Sequence, residues 1–292
     1  MKIAKACVCC GSRQLARSPA ILMPFVAERV FGWVPAEITA EWGLRDIGTG
    51  RAEALCSTLL CGQCGLVFLD MRFDDEEMAA LYADYRGPDY RRTRVRYEPD
   101  YGRRNDLLNE GSPYIAEIEA FLAPHLPSRP AVLDWGGDTG MNTPFRGRAA
   151  AHDVFEISGK PPIVGARAVD RREVAGSRYD LIVSSNVLEH VPYPADVLAD
   201  MVSAMAAGTV LYLEVPHEDL VQHVPDASER AARKRHWHEH INFFTPASLR
   251  AMAEAAGLAI VDLRSQPIVA GGLPKQVFCL AARLRQSHAA AA

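Results

Sequence analysis

Three clusters in this chain combine residue type and spacing in ways that could do chemistry. Cysteines pair as Cys7-x-x-Cys10-Gly and Cys61-x-x-Cys64-Gly. Each pair sets two thiolates on a tight turn, as in a zinc knuckle. Together Cys7, Cys10, Cys61 and Cys64 supply the four ligands of a closed, structural Zn2+ site. About fifty residues separate the pairs, so an insertion must loop out between them. Cys9, Cys56 and Cys279 read as ordinary thiols, with Cys9 a rival for Cys10. The second cluster is Ala131-Val-Leu-Asp-Trp-Gly-Gly-Asp-Thr-Gly140. An apolar strand runs into Asp134 and turns through Gly136, Gly137 and Gly140, where a ligand can approach backbone only if no Cβ intervenes. The third is Arg235-His-Trp-His-Glu-His-Ile-Asn-Phe-Phe-Thr-Pro246, with three of nine histidines in five positions. The His-Glu-x-x-His of zinc peptidases is absent, because Asn242 stands where its second histidine belongs. An imidazole titrates near neutrality, so a histidine here can also carry a proton.

The elements that must carry these clusters fall into three regions. Residues 1–75 hold the cysteine pairs, Gly and Pro breaks and short apolar runs such as Leu66-Val-Phe-Leu69, the signature of a small β-rich, zinc-binding module. Residues 76–130 are a helical connector. Its first helix opens on Asp74-Asp75-Glu76-Glu77, which complements the helix dipole, and stops at Gly87-Pro88. Asn105–Phe121 gives a second helix, and Pro124, Pro127 and Pro130 a stiff linker. Over residues 131–285 strands and helices alternate, which predicts an α/β fold with a doubly wound, mostly parallel sheet. Strands are expected at Ala131–Asp134, Asp153–Ile157, Ala166–Val169, Tyr179–Ser184, Thr209–Val215, Ala259–Arg264 and Gln276–Ala282. Helices are expected at Ala195–Ala206 and Pro246–Ala256, the latter with Thr245 as cap and Gly257 as terminator. Ser158-Gly-Lys-Pro-Pro162 cannot hold a helix interior, so that crossover is short or irregular.

Four segments occurring in order resemble class I S-adenosylmethionine (SAM) methyltransferases, whose fold is Rossmann-like: the glycine turn, the strand ending near Glu156, Tyr179-Asp-Leu-Ile-Val-Ser-Ser-Asn-Val-Leu-Glu-His-Val191, and Thr209–Pro216. The resemblance implies SAM as cofactor. Asp134, Gly136, Gly137 and Gly140 then shape the methionine pocket, Glu156 holds the ribose hydroxyls, Asp170 flanks the adenine, and Ser185 and Asn186 border the sulfonium. Asp138 replaces the middle glycine of the family pattern and either reaches the methionine amino group or weakens binding. His238-Glu-His-Ile-Asn-Phe-Phe-Thr245 resembles a segment of bacterial sugar C-methyltransferases, which also carry an N-terminal zinc module. That likeness implies His240 as general base, with Glu239 and His238 beside it and Glu239 orienting a histidine. Those enzymes have a tyrosine where this chain has Trp237, a departure that raises transfer to oxygen beside transfer to carbon.

On the substrate side, five tyrosines from Tyr82 to Tyr101 interleave with arginines. Tyr90, Arg91 and Arg94 are the expected contacts to a nucleotide-linked sugar or a surface glycan precursor, since arginine forks grip phosphate and tyrosines stack on rings. Glu189 and His190 are further substrate-side candidates. Gly271-Gly-Leu-Pro-Lys275 weakly resembles a motif of the sugar enzymes. A net charge of −4 argues against nucleic acid as partner, and no apolar run reaches the length of a membrane span. The chain reads as cytoplasmic. The alternatives are an O-methyltransferase of another small metabolite, or a non-catalytic module that binds SAM or S-adenosylhomocysteine (SAH) and uses its zinc domain for partner contact.

Overall fold

The computed structural model describes residues 1–43, 48–109, 111–270 and 272–285. Its larger sheet has seven strands in the order Arg167–Ala168, Ala151–Phe155, Ala131–Trp135, Leu181–Ser185, Val210–Pro216, Leu273–Leu284, Leu258–Ala270. The first five run parallel, and Leu273–Leu284 lies antiparallel to both neighbours. Val132, Leu133, Leu181, Ile182, Val210 and Leu211 are wholly enclosed, as expected of strands covered on both faces. The strand order reverses between Ala131–Trp135 and Leu181–Ser185, so a crevice opens beyond their carboxyl ends, where doubly wound sheets bind ligands. The predicted Rossmann-like α/β class is the one observed. No helix spans 156–166, where the prolines crowd. Thr245 caps helix Pro246–Ala255 in a reciprocal box with Ser248, and Gly257 follows at φ 80°.

The smaller sheet has the strand order His236–Trp237, Leu15–Leu22, Leu55–Cys61, Val67–Leu69, Asn242–Phe243. Its edges are therefore supplied by the histidine-rich run from far along the chain. Trp237 is fully buried there and donates its indole N–H to Thr58 Oγ1 at 2.8 Å.

The connector departs from expectation in two places. Helix Asp75–Tyr82 stops short of Gly87-Pro88, in a turn through Asp84 at φ 52° and Arg86 at φ 62°. Pro88 then opens a further helix, Pro88–Tyr97, because proline is well suited to a first helical position. In place of one helix over Asn105–Phe121 there are two, Tyr101–Asn109 and Ile115–Leu122. Gly111, at φ 101°, and Pro113 break the run, and the Ser112 N–H donates to Asn142 Oδ1 at 2.7 Å.

Candidate active site and cysteine centre

Strand Ala131–Trp135 delivers Asp134 to the crevice floor, buried and accepting from the Thr143 hydroxyl. Burial, followed by the nearby carboxylates, pushes its carboxyl up to about 7. The turn beyond it has no room for side chains at any of its three glycines; a Cβ on Gly140 would lie 2.9 Å from Val154 Cγ2. A Cβ on Gly137 would lie 2.4 Å from Asp134 Cγ, and one on Gly136, at φ 77°, would lie 2.7 Å from Val187. Gly140 closes the turn by donating to the Gly137 carbonyl at 2.8 Å. Glu156 follows the second strand and accepts from the Asp138 N–H at 3.0 Å and the Ser158 N–H at 2.9 Å. Its carboxylate is thus fixed at the mouth of a pocket also lined by Asp138, Val154, Lys160, Pro162, Ala168 and Val169. Asp138, at φ 53°, turns to Lys160 Nζ at 3.0 Å and Arg86 at 3.8 Å, which ties the connector to the glycine turn. Asp170 caps helix Arg171–Gly176 through the N–H groups of Arg172 and Glu173, so its neighbour Val169 faces the pocket instead. Ser185 ends the fourth strand, and Asn186, at φ 55°, donates to Glu214 Oε1 at 2.9 Å.

Across the crevice, the turn after the fourth strand meets the histidine-rich run. The Ile241 N–H donates to the Glu189 carbonyl at 2.7 Å, and Asn242 Nδ2 donates to the Leu188 and Val191 carbonyls. The His190 and His240 rings consequently stand 4.6 Å apart, nearly perpendicular. His240 Nδ1 is 2.7 Å from Glu218 Oε1. Burial disfavours the imidazolium, yet the Glu218 carboxylate raises His240 above its ordinary value. His190 is driven the other way, to about 3, by burial and then by His240, so it is neutral at pH 7. Burial pushes Glu189 up to about 8. The His240 N–H donates to His238 Nδ1 at 3.0 Å, and burial holds His238 well below its ordinary value.

Burial works against a charge on Glu239, but Arg94 at 2.5 Å, and then the histidines, keep its carboxyl below the usual range. Arg94 is itself buried. It donates to the Tyr90 hydroxyl at 3.0 Å and Glu98 Oε1 at 2.9 Å, and its guanidinium lies over the Phe25 and Tyr101 rings. Tyr90 is entirely enclosed. The structure thus sets these two inside the connector as supports of Glu239, without an open face for an acceptor. Arg91 is more exposed and forks onto Asp106 at 3.0 and 3.2 Å. Gly271 of the weak C-terminal motif lies outside the described residues. Two residues that the sequence reading missed belong to the site. Glu218, two residues past the fifth strand, stood where such sheets place ligand groups, and that position was its only signal. Tyr82, whose hydroxyl is 2.9 Å from His190 Nδ1, ends a connector helix; the Tyr/Arg interleave included it, but nothing local singled it out from the other tyrosines.

The four expected cysteine ligands converge, with all sulfurs within 4.8 Å of one another. Cys7 and Cys64 are 3.6 Å apart, and Cys10 and Cys61 3.5 Å. The Cys9 and Cys64 N–H groups donate to Cys7 and Cys61 sulfurs at 3.4 and 3.5 Å. Unbridged sulfurs at this spacing, supported by amide donors, fit a tetrahedral metal of the zinc kind. Cys9 is no rival for Cys10, since its thiol points to the Ser248 carbonyl at 3.0 Å.

The strand order, the reversal point and the glycine turn define a class I methyltransferase fold. A family profile described as a methyltransferase domain matches residues 108–263, and the chain belongs to that family, the class I SAM-dependent methyltransferase domains. The chain is similar to a ubiquinone biosynthesis O-methyltransferase of Aeromonas salmonicida (strain A449), 27% identical over 161 residues, or 45% of this chain; it spans 64% of that relative's length. Among solved structures, it is similar to the 1,6-didemethyltoxoflavin-N1-methyltransferase of Burkholderia thailandensis with bound SAH, at 17% identity and a TM-score of 0.49, covering 79% of this chain and 96% of the other. It is also similar to magnesium protoporphyrin IX methyltransferase from Synechocystis PCC 6803, at 15% identity and a TM-score of 0.40, covering 63% and 86%. No described helix is long and apolar enough to cross a membrane.

Proposed function

We propose that this chain transfers a methyl group from SAM to a small sugar acceptor, nucleotide-linked or a glycan precursor, with His240 as general base. The observation that carries the reading is the His240–Glu218 contact of 2.7 Å at the crevice mouth. An Nδ1–H held by a carboxylate leaves Nε2 with its lone pair directed away from Glu218 and fixes the tautomer a base requires. SAM supplies the methyl on an already activated sulfonium. His240 Nε2 takes a proton from an acceptor hydroxyl, or from a carbon beside a carbonyl. The acceptor's electron pair then forms the new bond to the methyl as the C–S bond breaks, leaving SAH and an imidazolium that Glu218 stabilises. Much of the rate comes from holding acceptor and donor in line. Asp134 and the turn at Gly136, Gly137 and Gly140 cradle the methionine end of SAM, Glu156 the ribose, and Ser185 and Asn186 border the sulfonium. Glu239 and His238 set the position of His240, and His190 lines the acceptor side, while Glu189, expected there too, is buried beside it. The four cysteines hold a structural Zn2+.

Transfer to oxygen on another small metabolite is the second reading. It is favoured by the O-methyltransferase relative and by Trp237, which lies in the core of the smaller sheet and offers no phenol to an enolate. Isotopic methyl transfer from SAM to a panel of nucleotide sugars tests the first reading. Label in a sugar product supports it. Label only in non-sugar hydroxyl acceptors moves the assignment to the second reading, and SAH binding without turnover on any acceptor contradicts both.

A further inference from the structure

Glu189 is the anomaly of the crevice. Its side chain is 1% exposed, and neither carboxylate oxygen has a hydrogen-bond partner among the described residues. A buried carboxylate normally has a cation or donors beside it. Two imidazoles face it instead, and one ligand atom from each of Glu189, His190 and His240 falls within a 4.8 Å cluster. His190 Nε2 is 3.8 Å from Glu189 Oε1. Both rings are already held from behind: His190 Nδ1 lies 3.1 Å from the Glu239 carbonyl and 2.9 Å from the Tyr82 hydroxyl, and His240 Nδ1 lies 2.7 Å from Glu218. Metal-bound histidines are oriented in this way, by a carboxylate or carbonyl on the nitrogen opposite the ion.

We propose that Glu189, His190 and His240 form a binding site for a divalent transition-metal ion, with two imidazole nitrogens and one carboxylate oxygen as ligands. Two histidines and a glutamate with a vacant fourth position make an open, zinc-type donor set. Imidazole nitrogens select Zn2+ or Co2+ over Mg2+ and Ca2+, which prefer oxygen alone. The His190 and His240 side chains are 20% and 25% exposed, so the vacant position faces the crevice. The site stands apart from the cysteine quartet and goes beyond the methyl-transfer reading. It rests on that reading in one respect: an ion on His240 Nε2 occupies the lone pair that a base needs, so loading inhibits transfer.

Protein carrying one equivalent of Zn2+ is titrated with Co2+, following heat and visible absorption. The expected result is one further Co2+ per chain with ligand-field bands and no thiolate charge-transfer band. Glu189→Gln and His240→Gln should each raise its Kd about tenfold or more, and Glu218→Gln, which weakens the hydrogen bond that holds the His240 ring, about 10- to 100-fold. Arg91→Ala should leave it unchanged. No second Co2+, or the same affinity in both ligand variants, overturns the site. Methyl transfer is followed in the same titration. Activity falling in step with Co2+ binding supports site and inhibition together. Activity rising with binding keeps the site but removes His240 as base. Persistent activity without Co2+ binding removes the site and leaves the methyl-transfer reading intact.

Discussion

At the residue scale, the proposed base His240 is paired with Glu218, and a ring free to turn would present the wrong nitrogen. His240→Ala is expected to lower kcat by about 10²- to 10⁴-fold, the range of general-base catalysis, with SAH affinity unchanged by calorimetry. Full turnover in that variant would remove the base assignment. Asp134 makes a second prediction. Burial pushes its carboxyl up to about 7, and the ionised form is the one that attracts an ammonium group, so SAH affinity should increase as pH rises through that value. Asp134→Asn should flatten that dependence; a slope that survives the change would place the titration elsewhere. For the free protein the sign is opposite. A carboxyl raised above its unfolded value favours folding at low pH, and that contribution is lost as pH rises through about 7. The local sequence exposed the glycine turn and the base candidate, because backbone room and imidazole chemistry are written into residue type. Glu218 was not legible, since its role comes only from where the fifth strand ends.

At the element scale, the strands of the larger sheet and helices Pro194–Ser203 and Pro246–Ala255 followed from apolar runs, caps and breakers. Helices such as Pro24–Phe31 and Ala227–Arg233, and the connector's helix count, did not. Gly111 and Pro113 mark a break that periodicity alone runs through, and Pro88 starts a helix where it reads as a stop. Nor does an interleaved Tyr/Arg pattern tell which side faces water. Arg94 turned inward, where Glu239 repays the loss of hydration, whereas Arg91 stayed outside on Asp106. Breaking a buried pair strands the remaining charge, so Arg94→Met should destabilise the protein by about 3–5 kcal/mol. Arg91→Ala, at an exposed pair, should cost about 0–1 kcal/mol. Urea midpoints at constant m-value would check this, and equal costs would contradict the inward placement.

At the scale of the whole molecule, the cysteine centre and the methyltransferase sheet share one core. Cys7, Cys61, Cys64 and Phe68 pack in the same buried cluster as Leu188, Phe244, Leu249 and Met252. The smaller sheet also takes up His236–Trp237 and Asn242–Phe243, the flanks of the histidine-rich run. Such long-range pairing leaves no local trace, and for that reason the sequence suggested a separable module. Removing the metal with a strong chelator should therefore lower both Tm and methyl-transfer activity, and full activity after verified metal loss would contradict the coupling. The central claim is that the glycine turn and Glu156 hold the methyl donor, and its most direct test is calorimetric titration of SAH into metal-replete protein and into Glu156→Ala. Saturable binding near one per chain, weakened about tenfold or more by the loss of charge-assisted ribose contacts, is the predicted result. A flat trace with the folded wild-type protein, or equal affinity in the two proteins, would contradict it.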